Sequence, residues 1–260
     1  MKNRLGCLII IALVVTITSC KKTISYPANP LTNYFLTLQV GKYVTYRMDS
    51  LNFYYYGQLD TVTSYWAKDS VEKSIVDGTG ATVWLVTRYL SDTLGDGWTP
   101  TITYSVAATT QTIDVTENNL RFIKLAFPMD AGFSWMGDTY LPYAPYQDFF
   151  QFSDYDNLSL GGPNGWNFTY TQVNQPFTVN NGIKYDSATT VLQINDSSNV
   201  PITNPNSLAS ETYWSETYAK HIGLIYRHTE MWEYQPPTPD GSQAAYKIGF
   251  ELTMSLIDHN

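Results

Sequence analysis

Cysteine is almost absent from this chain: there are 2 among 260 residues, Cys7 and Cys20. Both fall within the first twenty positions, so the remainder holds no thiol for a disulfide, a cysteine-ligated zinc, an iron–sulfur cluster or a cysteine nucleophile. Charge is also scarce, at 15% of residues, with 15 Lys and Arg against 23 Asp and Glu. No basic stripe is visible, so no nucleic-acid partner is expected. Gly161-Gly162-Pro163 lacks the lysine and the following helix of a phosphate loop. There is no Gly-x-Ser-x-Gly nucleophile elbow. The longest apolar run, Leu5 to Ile17, is 13 residues, and a bilayer span needs about 20. With 43% hydrophobic residues the chain is not disordered. At this length it buries roughly 70–75% of its unfolded surface and builds a core without staples.

The first segment reads as an address. Lys2 and Arg4 form a positive flank, Leu5 to Ile17 is a signal-peptide core, and Ile17-Thr18-Ser19-Cys20 follows. That last run resembles the bacterial lipobox, an aliphatic residue and two small ones before the cysteine that is acylated. Residues 1–19 are therefore expected to be a lipoprotein signal peptide, with Cys20 the lipidation site. Two or three acyl chains on one residue anchor stably, where a single chain does not. Lys21 and Lys22 replace the acidic residue that retains lipoproteins at the inner membrane, which favours the outer membrane. Residues 20–30, with Pro27 and Pro30, read as acylated cysteine and tether, and ten residues reach at most about 35 Å. Loss of Lys2 and Arg4 takes the net charge from -8 to -10.

From Tyr34 onward the dominant pattern has period two. Tyr246, Ile248, Phe250, Leu252, Met254 and Leu256 alternate with Lys247, Gly249, Glu251, Thr253 and Ser255, a long strand with one wet face. Strands are expected at 42–49, 61–75, 81–90, 98–107, 110–116, 120–127, 166–173, 186–194 and 222–232, and both faces of 81–90 are apolar, which predicts a covered, mid-sheet strand. Helix signals are few. The best is 210–221, with Ser210 as N-cap, His221 in the last turn and Gly223 just beyond; 146–158 could hold one further turn. The expected fold is all-β: a curved antiparallel sheet forming a half-barrel or a sandwich, with one short helix near 210–221. Residues 31–260 read as a single β domain with a loop-rich insertion at 128–165, which carries Pro128, Pro142, Pro145 and Pro163.

Several phrases carry a resemblance. Tyr34-Phe35, Val40-Gly41 and Tyr43-Val44-Thr45-Tyr46 open the domain. Glu117-Asn118-Asn119-Leu120 precedes Phe127-Pro128, Trp135 and Gly137, and Tyr218-Ala219-Lys220 leads to Ile222-Gly223-Leu224-Ile225-Tyr226. The chain ends Leu256-Ile257-Asp258-His259-Asn260. Together these resemble a family of Bacteroidota lipoproteins of no assigned activity, which implies a secreted, lipid-anchored protein. The step into residues 222–226 is also similar to a Gly-Val-Gly-Leu-Val step of envelope proteins with strongly curved sheets. His221 stands where that pattern has its first glycine. This second likeness implies a curved sheet or half-barrel and no catalytic residue.

Candidate sites are sparse. His228 and Glu230 share a strand face, a geometry that a metal or an acid/base pair can use; the plainer reading is a half-exposed pair beside Arg227 and Glu233. The acids at 92–96 and 154–156 lack the ligand alternation of a calcium loop and read as turn residues. A remote carboxylate pair for glycoside hydrolysis has no local motif. The one unusual composition is aromatic: 21 Tyr, 7 Trp and 11 Phe. Most would fill a β core, but Tyr143, Tyr146, Phe149, Phe150, Phe152 and Tyr155 crowd a loop-rich stretch, where flat faces with polar tips suit a ligand or partner. The expectation is a non-catalytic envelope binding module with no cofactor and no metal. It would be held to the outer membrane by its acyl anchor, on the periplasmic face or the cell surface, and would take a lipid, glycan or peptide. The alternatives are a structural lipoprotein that binds another envelope protein and, behind it, a glycan hydrolase.

Overall fold

The computed structural model describes residues 31–35, 38–55, 57–78, 80–92, 96–141 and 166–260. The signal, Cys20, the tether and all six aromatics between Tyr143 and Tyr155 lie outside these residues, as does most of the 128–165 stretch.

Twelve strands follow a 3₁₀ turn at Leu31–Tyr34: β1 Tyr43–Tyr54, β2 Leu59–Val76, β3 Thr82–Ser91, β4 Thr99–Ala108, β5 Thr112–Glu117, β6 Leu120–Ala126, β7 Ser134–Met136, β8 Asn167–Thr178, β9 Lys184–Ser198, β10 Ala209–Ala219, β11 Gly223–Gln235 and β12 Tyr246–His259. All pairings are antiparallel in one sheet, ordered β6-β5-β4-β3-β2-β1-β12-β11-β10-β9-β8-β7. The first and last strands pair with each other, so a simple meander is joined through its own ends. Sheet twist then curls twelve strands until β6 and β7, the sheet's two edges, face each other. The Ile123 N–H donates to the Gly137 carbonyl at 2.8 Å, and the Trp135 indole N–H donates to the Ile123 carbonyl at 2.7 Å. The Tyr170 hydroxyl donates to the Ala126 carbonyl (2.7 Å) and accepts from the Ala126 N–H (3.0 Å). The sheet is thus a nearly closed barrel; period-two alternation alone leaves barrel and sandwich equivalent.

Several aromatics pack at and near this junction. Trp135 packs against Tyr170 at 4.7 Å and edge-on to Phe168 at 5.9 Å, while Trp166 meets Trp214 edge-on at 4.8 Å. Gly137 runs so close to Phe168 that a Cβ there would fall 2.3 Å from the ring. Gly249, in mid-β12, has φ +117, and a Cβ would meet the Met231 carbonyl at 2.1 Å. It is a site of close strand approach.

The helix expected at 210–221 is a strand. Ala209–Ala219 pairs with β9 on one side and β11 on the other, and two ladders outweigh a local cap signal. Thr212, Glu216 and Tyr218 face the lumen and are buried; a charged residue at an inward position hides the alternation. His221 consequently ends no helix. It sits in the turn between β10 and β11 with φ +64, the left-handed conformation that suits a glycine, and its N–H donates to the Asn33 carbonyl. Strand β3 lies mid-sheet as expected, but Val83, Leu85 and Tyr89 on its outer face are only partly buried, because a single-layered wall has no second sheet over it.

The lumen is packed at one end, where Leu31, Tyr34 and Phe35 join Tyr46, Val71, Ile113, Tyr218, Ile225 and Leu256 in the core. The outer wall carries Arg47, Asp49, Lys68, His228, Glu230 and Glu251, where a membrane-spanning barrel presents an apolar band. No helix among the described residues is long and apolar enough to cross a membrane.

Candidate functional site

The lumen is polar at its centre. Among the described residues, six charged side chains, three of each sign, meet there from β2, β3, β5, β6, β10 and β11. Asp69 accepts a bidentate pair from Arg88 (Nε 2.7 Å, Nη2 2.8 Å) and a third bond from the Tyr104 hydroxyl (3.0 Å). Arg88 uses Nη1 on Glu117 at 3.1 Å. Across the lumen Glu216 Oε1 takes Lys124 Nζ at 3.0 Å and Arg227 Nη2 at 2.7 Å. Glu216 Oε2 accepts from Gln193 Nε2 (2.7 Å) and the Tyr218 hydroxyl (2.5 Å).

Burial and pairing compete at each group. Burial opposes the Glu216 charge, yet Lys124, Arg227 and the Tyr218 hydroxyl outweigh it and hold the carboxyl at about 2. At Lys124 burial wins, and the ammonium titrates below its ordinary value despite Glu216. Arg88 is raised, since Asp69 and Glu117 overcome its desolvation. Burial drives the Tyr46, Tyr104 and Tyr218 hydroxyls well up, so all three stay protonated. None of this was legible in the sequence: nothing local marks Asp69, Arg88, Lys124 or Glu216, and only their register shows that they face one another.

A cavity of about 200 Å³ borders the network. Its polar wall is Arg88, Glu117, Lys124, Glu216 and Arg227, and its apolar wall is Leu120, Phe122, Trp214, Phe250 and Leu252. Asn118, exposed in the turn between β5 and β6, stands at its rim. Donor capacity remains on the polar wall: among the described residues Arg227 Nη1 meets only the Met254 sulfur, at 3.9 Å. A second void of about 30 Å³ lies beneath, between Tyr46, Asp69, Tyr104 and Tyr218, with room for a water. The chain leaves at Leu141 and returns at Trp166, both buried, so the connection expected to carry the ligand aromatics starts and ends on the barrel itself.

On the opposite face of the same strands lies a second ionic cluster. His228 and Glu230 do share a face, as the spacing predicts, with Nε2 to Oε1 at 2.8 Å. The register sets Glu230 directly opposite Glu251, whose Oε1 is 3.3 Å from the same Nε2. Glu211 on β10 bonds Glu230. The two carboxylates bonded to its imidazole raise His228 to about 9, against desolvation. His228 lowers Glu230, whereas burial and then Glu230 raise Glu211. The Tyr213 ring lies 5.4 Å from the imidazole. Glu211 and Glu251 were missed from the sequence because their approach depends on pairing between β10, β11 and β12.

No family model matches the chain, and no curated protein matches it. Among solved structures it is similar to a Bacteroides fragilis protein provisionally described as exported, with a YmcC-like fold. That similarity covers 88% of this chain and 99% of the other at 10% identity and a TM-score of 0.41.

Proposed function

We propose that this protein is a lipid-anchored envelope lipoprotein, acylated at Cys20 and held at the outer membrane, whose barrel holds a small amphiphilic ligand without transforming it. The observation that carries the reading is the cavity of about 200 Å³ with one charged and one apolar wall. Ligand sites are concave, largely apolar and supplied with a few placed polar groups. An apolar body would pack on Phe122, Trp214, Phe250 and Leu252, and a polar head would meet Lys124, Arg227 and Glu117. The ordered ion pairs need no rearrangement to meet it, which limits the ordering penalty of binding.

Native mass spectrometry of the protein extracted from cells tests this. The expected result is an adduct of defined mass that disappears in Leu252→Trp, where the indole fills the cavity. An adduct retained by that variant would place the ligand elsewhere. An empty wild-type protein would favour the second reading, a partner-binding lipoprotein. That reading has its own support: Tyr54, Tyr55 and Leu59 are exposed together at the end of the hairpin of β1 and β2, and exposed apolar groups in one place mark interaction surfaces. It predicts crosslinks in whole cells from that hairpin.

A further inference from the structure

The outer-wall cluster is unbalanced in a way that the lumen is not. Two carboxylates, Glu230 and Glu251, contact one imidazole, a third, Glu211, bonds Glu230, and among the described residues no lysine or arginine pairs with any of them. The hydrogen bond between Glu211 and Glu230 needs one proton between the two carboxyls, and with His228 charged the cluster still carries one uncompensated negative charge. Glu230 and Glu251 are direct cross-strand partners, and like charges so placed are destabilising. Their side chains are only 17% and 35% exposed, so solvent relieves this repulsion incompletely.

The geometry of the three nearest groups has its own meaning. His228 Nε2, Glu230 Oε1 and Glu251 Oε1 all lie within 4.8 Å of one another, and the two distances from Nε2 are 2.8 and 3.3 Å. Zinc bound tetrahedrally at about 2.0–2.2 Å sets its nitrogen and oxygen ligands roughly 3.3 Å apart. Nε2 already stands at or just inside that spacing from both oxygens, on two strands whose ladder fixes their backbones. A plain ion pair explains one carboxylate on the imidazole; it does not explain a second, with Glu211 bonded behind Glu230.

We infer that His228, Glu230 and Glu251 form a binding site for one divalent cation that accepts imidazole nitrogen, Zn²⁺ being the probe, with Glu211 supporting Glu230 from behind. A 2+ ion at this point neutralises the cluster and displaces the proton from Nε2. Three protein ligands leave a fourth position for water, the open arrangement of zinc sites that do more than hold a fold together. Glu211 acts as a positioning residue, as the carboxylates behind metal ligands do. This inference does not depend on the lumen ligand, since the site lies on the opposite face of β11, and it departs from the sequence expectation of no metal.

The test is calorimetric titration of Zn²⁺ and, separately, Ca²⁺ into the untagged full-length protein in detergent. Zn²⁺ is expected to bind at one per chain. His228→Ala and Glu251→Gln should each weaken it by more than the roughly tenfold to hundredfold that loss of a supporting residue produces. X-ray absorption of the zinc-loaded wild type should show a single imidazole among oxygen ligands, a readout that requires no variant to fold. Unchanged Zn²⁺ affinity in both variants, a first shell with two imidazoles or none, or a response to Ca²⁺ alone would each overturn the assignment.

Discussion

Arg227 and His228 are neighbours in sequence and occupy opposite worlds. Arg227 faces the lumen, where three cations meet three carboxylates and each charge has a partner. His228 faces outward, where one imidazole meets two carboxylates and a third stands behind them. The strand alternation that separates them is elementary; what differs is how each face settles its charge. The inner face does so within the protein, and a buried pair that is complete tolerates little change because removing one partner strands the other. The outer face remains unsettled, and half-exposed charges can wait for a counterion.

The contrast can be broken most forcefully at Glu216. Glu216→Gln leaves Lys124 and Arg227 sharing a neutral amide inside the barrel, which should destabilise by about 3–5 kcal/mol, read as a shift in urea midpoint. If the midpoint moves no more than it does for an outer-wall variant, the lumen network is not the rigid element described here. The double variant Glu216→Gln with Lys124→Met should be less unstable than the single losses summed, since each removes the other's stranded charge.

Acid should find the same network. The Glu216 carboxyl is lowered from 4.5 to about 2 in the folded protein, so the unfolded chain takes up the proton first as pH falls. The stabilisation is fully present above pH 4.5 and is lost as pH drops toward 2; that interval corresponds to on the order of 3 kcal/mol. Equilibrium unfolding followed between pH 5 and 2 checks it, and Glu216→Gln should flatten the acid limb.

The seam between β6 and β7 comes next in size. Tyr170→Phe removes a hydroxyl that both donates to and accepts from Ala126, leaving two buried backbone groups short of a partner, for about 1–3 kcal/mol. Hydrogen exchange at the Ala126 amide should rise more than at any amide of β1 or β12, which lie mid-sheet.

How much of this could be read from the chain depends on whether a residue's environment is local. Strands β1 to β6, β8, β9, β11 and β12 announce themselves through alternation, and their order follows once turns are placed. β10 does not, because Glu216 stands at an inward position and Ser210 resembles a cap; only pairing on both sides resolves it. β7 is three residues long and carries no period. Closure into a barrel rests on Trp135, Gly137 and Tyr170 meeting across the sheet's two edges, far apart along the chain. The candidate site follows the same rule: the pair His228 and Glu230 is legible because it is local, while Glu251, Glu211 and all six lumen ions acquire meaning from register alone.

The smallest expected effect sharpens the comparison most. In metal-free protein, Glu251→Gln removes a carboxylate that faces Glu230 but also one of two acceptors on His228. These changes oppose each other, so stability near neutral pH should move by less than about 1 kcal/mol. The pH dependence should move instead. His228 is raised from 6.5 to about 9, so its contribution is complete below pH 6.5 and disappears as pH climbs through 9. Glu230 on its own strand, Glu251 from β12, and Glu211 and Tyr213 from β10 are the groups that face it. With Glu251 neutral the imidazole should titrate lower and the alkaline loss begin earlier, which proton NMR of the His228 ring reads directly. An unchanged midpoint would mean that Glu230 alone holds the proton, and the outer cluster would then be an ordinary ion pair, differing from the lumen only in its exposure.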